Sequence, residues 1–291
     1  GSVISFPCNL YSYISFFSDK NGINAVDKKY VIKYTKQEEP TSYKDIKNDV
    51  ARVCLRHFNL PHCQMSFHSD ISSDGSGLAS SSAYVISAIQ AIKEYYGIKL
   101  SIPDVCALAL KLEREFNPLT GMQDVYGCGI GGIKRLQFYS DGRVKAKVFH
   151  ETLIDDYDKH LIHTGVSRSS TKILSSVDVK KLEPLIPLVD SFEKSIISKD
   201  REQFFDIINE GWQKKKESSS LIADNENIKY IDSKLSNMAQ IKAHKICGAG
   251  GGGYFLVFTE KGFDLNKYLP EFKDVCFKIH VDPVGIKSQR I

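Results

Sequence analysis

The sequence predicts an α+β protein in two lobes, and three observations carry that reading. The opening third holds short runs rich in β-branched and aromatic residues, such as Val3-Ile4-Ser5-Phe6 and Tyr30-Val31-Ile32-Lys33-Tyr34, which read as strands. Val85, Ile89, Ile92 and Tyr96 then recur at the spacing of one helical face. Beyond about residue 165 the texture changes to long helix-period stretches that end in a cluster of glycines and a final pair of strands. The boundary is expected near residue 155, dividing the chain into 1–155 and 156–291.

The elements follow in order. Residues 3–6, 10–17 and 30–34 read as strands, with Asp19-Lys20-Asn21-Gly22 as a turn. Residues 45–58 place Ile46, Val50, Val53 and Cys54 at helical spacing, and 63–67 is a short strand. A helix begins near Ala79 and stops at Gly97. A second covers 103–116, with Pro103 in its first turn and Ser101 as cap. Residues 133–139 and 143–148 alternate around Ser140-Asp141-Gly142 and read as a hairpin, and 160–164 is a strand. Helices are expected over 177–198, 202–218 and 230–240, then strands over 254–258 and 277–281.

Composition excludes several classes. With 291 residues, 42% hydrophobic and 25% charged, the chain can bury a sizeable core. A formal charge of +4, with scattered lysines and no dense basic block, does not point to nucleic acid. No apolar run approaches the roughly 18–20 residues of a membrane helix, and no cleavable leader is visible. The seven cysteines form no C-x-x-C pair, and the eight histidines show no metal-ligand spacing. Reduced cysteines in a cytoplasmic protein are therefore expected.

Four loops could carry chemistry. In the first, Gly75, Ser76, Gly77, Leu78, Ala79, Ser80, Ser81 and Ser82 run from a polar stretch into a helix. Glycines permit close backbone approach, and a helix start offers N–H groups and partial positive charge, which together suit a phosphate. A serine-capped helix is the plainer alternative. Neither the Gly-Lys-Ser/Thr of a Walker loop nor a dinucleotide G-x-G-x-x-G is present. In the second, a helix delivers Glu113 near its end and a turn delivers Asp124. Such carboxylates can divide labour, one on Mg²⁺ and one on the proton of a hydroxyl nucleophile. In the third, five of the six residues Gly248-Ala249-Gly250-Gly251-Gly252-Gly253 are glycine, which implies close approach to a ligand or to another loop. In the fourth, Thr164-Gly165-Val166-Ser167-Arg168-Ser169 offers Arg168 as an anion contact.

In this order the loops resemble those of the GHMP kinases. Gly77-Leu78-Ala79-Ser80-Ser81-Ser82-Ala83 is similar to that family's Gly-Leu-Gly-Ser-Ser-Ala phosphate loop, and residues 248–253 to its glycine-rich motif. Gly121-Met122-Gln123-Asp124, with Glu113 before it, resembles the family's carboxylate pair. The resemblance implies a two-lobe fold, ATP and Mg²⁺, Asp124 as catalytic aspartate, and Glu113 with Ser81 on the metal. Gln123, Arg168, Gly250 and Gly251 would contact substrate. Gly121–Tyr126, Gly131-Gly132, Thr164–Ser169 and Trp212-Gln213-Lys214-Lys215-Lys216 look like the D-glycero-D-manno-heptose 7-phosphate kinases. That subgroup implies transfer to an anomeric hydroxyl in the making of nucleotide-activated heptose for surface polysaccharide. The alternatives are a galactokinase- or fucokinase-like acceptor and a non-catalytic binding relative. A homodimer is compatible with either.

The sequence departs from the family pattern in three places. Ala79 stands where glycine is usual, and Ser73-Asp74 where proline is. The family's first motif, a strand ending in a Gly-Gly-x-x-Asp-like turn, is not found, and Gly1-Ser2-Val3-Ile4-Ser5 resembles the segment that follows it. The expectation is either a further strand and turn upstream, roughly 20–30 residues by the span of such elements, or a relative with a reduced sugar site.

Overall fold

Local hydrophobic period and long-range strand pairing together sort the chain into three sheets among the described residues. The computed structural model describes residues 1–18, 28–71, 75–150, 153–167, 173 and 175–290. The turn expected at residues 19–22 lies outside them.

The chain divides into two compact units built from discontinuous segments: residues 1–9, 74–78 and 132–282, and residues 10–73, 79–131 and 283–291. A single boundary near residue 155 does not describe this division. It would place β1 (Ser2–Ser5) and the hairpin β6 (Ile133–Phe138) and β7 (Val144–Phe149) in the first lobe, whereas they belong with the later strands. The cause is a pairing that local period cannot show: β1 lies antiparallel on β6, with Val3 opposite Leu136.

The first unit contains that β1-β6-β7 sheet and a second, antiparallel one. The second sheet has the order β11 (Cys276–Ile279), β8 (Tyr157–His163), β10 (Tyr254–Glu260), β9 (Ile241–Ile246). β9 has no expectation in the sequence reading. The expected helix over 177–198 is instead a 3-10 segment, Val179–Leu185, running into α5 (Ile186–Ser198). Pro184 explains the break, because proline lacks the N–H that an α-helix interior needs, while Pro187 is tolerated in the first turn of α5. Helix α6 (Arg201–Ser218) and helix α7 (Glu226–Ser236) complete the layer, and a short α8 (Leu265–Tyr268) follows β10. α6 buries Trp212 edge-on to Phe255 with ring centroids 5.9 Å apart.

The second unit holds a mixed sheet of order β2 (Ser12–Ser18), β5 (Cys63–Ser69), β3 (Val31–Lys33), β4 (Gln37–Glu38), in which only β3 and β5 run parallel. Helices α1 (Asp49–His57), α2 (Ser80–Tyr96), α3 (Ile102–Glu113) and α4 (Met122–Gly129) pack with it. Each boundary has a local cause. The Asn48 side chain caps α1 by accepting from Ala51 N–H at 2.9 Å. Gly97 ends α2 in the left-handed region at φ 71°. Ser101 and Asp104 form a reciprocal capping box at the start of α3. The core of this unit is formed by residues such as Ile32, Met65, Val85, Ile89, Ile92, Val105 and Leu112, all essentially inaccessible.

All seven cysteines are free. Burial pushes the thiols of Cys54 and Cys63 up to about 12, so neither is a nucleophile at neutral pH. Among the described residues no helix is long and apolar enough to cross a membrane.

Candidate active site

The start of α2 is built by an unusual backbone path. Gly75 and Gly77 take φ of 66° and 71°, and Ala79, the N-cap of α2, takes φ 59° and ψ 31°. The left-handed region is costly for a residue with a Cβ, so the turn into α2 holds some strain at Ala79. Ser76 is buried, and its Oγ accepts from Leu78 N–H at 3.2 Å. Ala79 supplies no side-chain cap. The first intrahelical bond runs from Ala83 N–H to Ala79 O at 2.9 Å. By helix geometry, the Ser81 and Ser82 N–H groups have no acceptor within the helix. This is the arrangement that suits an anion.

Glu113 is the last residue of α3 and is only 1% exposed. Its Oε2 accepts from Ser82 Oγ at 2.6 Å, and Ser82 is equally buried. Among the described residues Glu113 makes no ion pair. Charge on a buried carboxylate whose partner is a neutral hydroxyl is costly unless a cation joins it. The residue that meets Glu113 is therefore Ser82. Ser81, the serine singled out from the sequence, is exposed. Period explains the difference: a one-residue step on a helix turns the side chain by about 100°, and the step that reaches α3 is at 82.

Asp124 does not lie on a turn. It sits in the first turn of α4, three residues after the N-cap Gly121, where the helix dipole favours negative charge. Two glycines inside the helix, Gly127 and Gly129, hide it from propensity-based reading. Gly129 is there for packing: a Cβ on it would fall 2.3 Å from Cys106 Sγ of α3. Asp124 is half-buried and Gln123 beside it is exposed. Just before α4, Thr120 is buried and its Oγ1 has no hydrogen-bond partner.

The glycine cluster of the first unit is a packing device. Gly250, Gly251, Gly252 and Gly253 all have positive φ, from 73° to 151°. A Cβ on Gly250 would lie 2.7 Å from Ile222, and one on Gly251 2.6 Å from Ile173. At Gly252 it would lie 2.5 Å from Val166 O, and at Gly253 2.3 Å from Ser76 O. Thr164 donates to Gly253 O through both its N–H, at 2.8 Å, and its Oγ1, at 3.0 Å. Gly253 N–H donates to Val166 O at 3.0 Å, and Lys215 Nζ donates to Gly248 O. The cluster thus brings Ser76 and the 164–166 strand end against one backbone. For Gly250 and Gly251 the face a side chain would occupy is filled by protein. Arg168, the expected anion contact, lies outside the described residues.

The Trp212–Lys216 stretch is absorbed by structure. Trp212 Nε1, Lys216 Nζ and His244 Nε2 converge on Asp232 at 2.7, 2.7 and 2.8 Å. Burial alone would raise the Asp232 carboxyl, but the three hydrogen bonds hold it well below the usual carboxylate range.

Comparison with known proteins agrees with this architecture. Residues 45–132 match the family described as GHMP kinases N terminal domain. Over its whole length the chain is 24% identical to the D-glycero-alpha-D-manno-heptose 7-phosphate kinase of Campylobacter jejuni, covering 91% of that protein. It is 28% identical over 203 residues to the L-fucokinase/L-fucose-1-P guanylyltransferase of Bacteroides fragilis, a match that spans 64% of this chain and 21% of that one. The crystal structure of a D-glycero-D-manno-heptose 1-phosphate kinase from Bacteroides thetaiotaomicron superposes with a TM-score of 0.72 at 18% identity, covering 99% of this chain and 91% of that one. Residues 45–132 thus carry the N-terminal domain of the GHMP kinases, and the chain as a whole is similar to a heptose 7-phosphate kinase and shares the α+β fold of such enzymes.

Proposed function

We propose that the protein transfers the γ-phosphoryl group of ATP to the anomeric hydroxyl of a sugar phosphate, with D-glycero-D-manno-heptose 7-phosphate as the acceptor. The observation that carries this reading is the full-length likeness to the Campylobacter jejuni heptose 7-phosphate kinase, which spans every loop with candidate chemistry. The residues supply a consistent division of labour. The 75–82 segment and the first turn of α2 bind phosphate oxygens through N–H groups. Asp124, at the start of α4, orients the sugar hydroxyl and accepts its proton as the oxygen attacks the γ-phosphorus and ADP departs. Most of the acceleration in such a transfer comes from positioning and charge neutralisation, so rigid delivery of these groups by packed helices matters as much as the base.

Magnesium fits the donor set. Among the described residues no group of three His, Cys, Asp or Glu side chains is placed to hold a metal unaided. Mg²⁺, however, is commonly held by one or two carboxylates together with substrate phosphates and water. Glu113, buried and, among the described residues, without a cationic partner, is the residue that would hold it, with Ser82 beside it. Bound there, the ion would neutralise charge on the phosphates. A cytoplasmic setting, in keeping with seven free cysteines, belongs to the same reading.

The test is Mg²⁺-dependent transfer from ATP across a panel of sugars and sugar phosphates. Preference for heptose 7-phosphate supports the proposal. Transfer to fucose or galactose alone replaces it by a second reading, which the likeness to the fucokinase favours. Nucleotide binding with no transfer to any acceptor makes the protein a non-catalytic relative.

A further inference from the structure

The Ser82–Glu113 bond has features that plain packing does not require. Its two members come from different helices, the first turn of α2 and the last residue of α3. Both are 1% exposed, and the contact is 2.6 Å, towards the short end for O–H···O. The donor is a hydroxyl, which holds a carboxylate in place without cancelling its charge, as a lysine or arginine would. The hydroxyl occupies Oε2 and leaves Oε1 outside the bond. A glutamate at a helix end otherwise has several rotatable bonds to fix before it can ligand anything.

We infer that Ser82 is a positioning residue for the divalent cation: it holds Glu113 Oε2 and so fixes the carboxylate with Oε1 offered as ligand. This rests on the proposed role of Glu113 in the phosphoryl transfer, and it goes beyond that role by giving Ser82 a task distinct from phosphate contact. The role differs from the one implied for Ser81, which would touch the metal itself.

The full chain is used, with Mn²⁺ as the probe ion and the non-hydrolysable analogue AMP-PNP as nucleotide. Bound Mn²⁺ is read by electron paramagnetic resonance for the wild type and for S82A, S82C, S82T and E113Q. S82C keeps the side-chain volume while replacing the hydroxyl by a weak donor, and S82T keeps the hydroxyl. S82A and S82C are expected to weaken Mn²⁺ binding about tenfold or more, the usual consequence of removing a group that orients a metal ligand. S82T is expected to stay within about threefold of the wild type by the same measure. AMP-PNP binding without metal is measured for each variant so that any loss of Mn²⁺ is read relative to it, and thermal melts of the apo proteins confirm folding. Should S82A melt early, S82C decides the matter. Mn²⁺ binding by S82A and S82C as tight as the wild type, with E113Q weakened, overturns the inference and leaves the kinase reading intact. Equal losses in S82T and S82A overturn it as well, since the site would then be sensing shape rather than the hydroxyl. Wild-type Mn²⁺ affinity in E113Q removes Glu113 as a ligand, and the inference falls with it.

Discussion

The helices that carry Ser82, Glu113 and Asp124 and the glycine cluster at 248–253 use opposite means. In the helical unit the chemistry lies in side chains, and the backbone delivers them at helix ends: the start of α2, the end of α3, the start of α4. In the glycine cluster the glycine backbone itself makes the contacts. Four consecutive positive-φ residues let the backbone press against Ile222, Ile173, Val166 and Ser76. The lesson is that the two regions should fail differently. Damage to the first should reduce turnover on a stable fold, and damage to the second should loosen the fold.

The largest expected effect breaks the helical side. Replacing Asp124 by Asn should lower the transfer rate about 10³-fold, within the range for loss of a general base. Nucleotide affinity should stay within about threefold, because the lost interaction belongs to the reacting hydroxyl. Steady-state kinetics with calorimetric ATP binding checks both, and an unchanged rate removes Asp124 from its role.

Next comes the glycine side. Gly253→Ala places a Cβ 2.3 Å from Ser76 O at φ 84°, and neither partner is a flexible side-chain end. It should cost about 2–4 kcal/mol of unfolding free energy, combining left-handed strain with a backbone clash. Denaturant titration reads it. A loss of turnover at wild-type stability would erase the contrast between the regions.

A smaller effect tests the strand that leads to the cluster. Burial lowers the pKa of His160 on β8, and its Nδ1 has no partner; His163 shifts the same way from burial. The unfolded chain then takes up protons first as pH falls below the ordinary histidine value of about 6.5. Stability should be level above about pH 7 and decline towards about pH 5. His57 in the helical unit is also lowered by burial, so His160→Gln isolates the strand by flattening part of the slope in melting temperature against pH.

The smallest effect sharpens the comparison at the one place where the helical region uses a glycine-like backbone. Ala79→Gly should relieve the left-handed strain and raise stability by about 0.5–1 kcal/mol, the strain cost less the extra chain entropy of glycine. Thermal melts should show a small upward shift, and no shift would mean that Ala79 is unstrained.

Legibility followed the same divide. Helices α2 and α3 were readable because their apolar spacing, Gly97 and the Ser101 cap are all local signals. The carboxylates Glu113 and Asp124 were readable as chemistry-bearing types. Helix α4 was not, because Gly127 and Gly129 suppress its propensity, and only the tertiary contact with Cys106 explains Gly129. Nor was β9, or the assignment of β1 to the sheet of β6, since strand pairing is a long-range choice.

By itself the sequence determined the class of fold, the order of the loops, and the residue types able to handle phosphate, metal and proton, because helix period, caps and turn residues act over a few positions. The tertiary structure alone decided that Ser82 rather than Ser81 meets Glu113, and that Gly250–Gly253 serve close packing. It also decided that Asp124 opens a helix. Each of these depends on which surfaces meet across tens of residues, where burial and steric fit, not local propensity, make the choice.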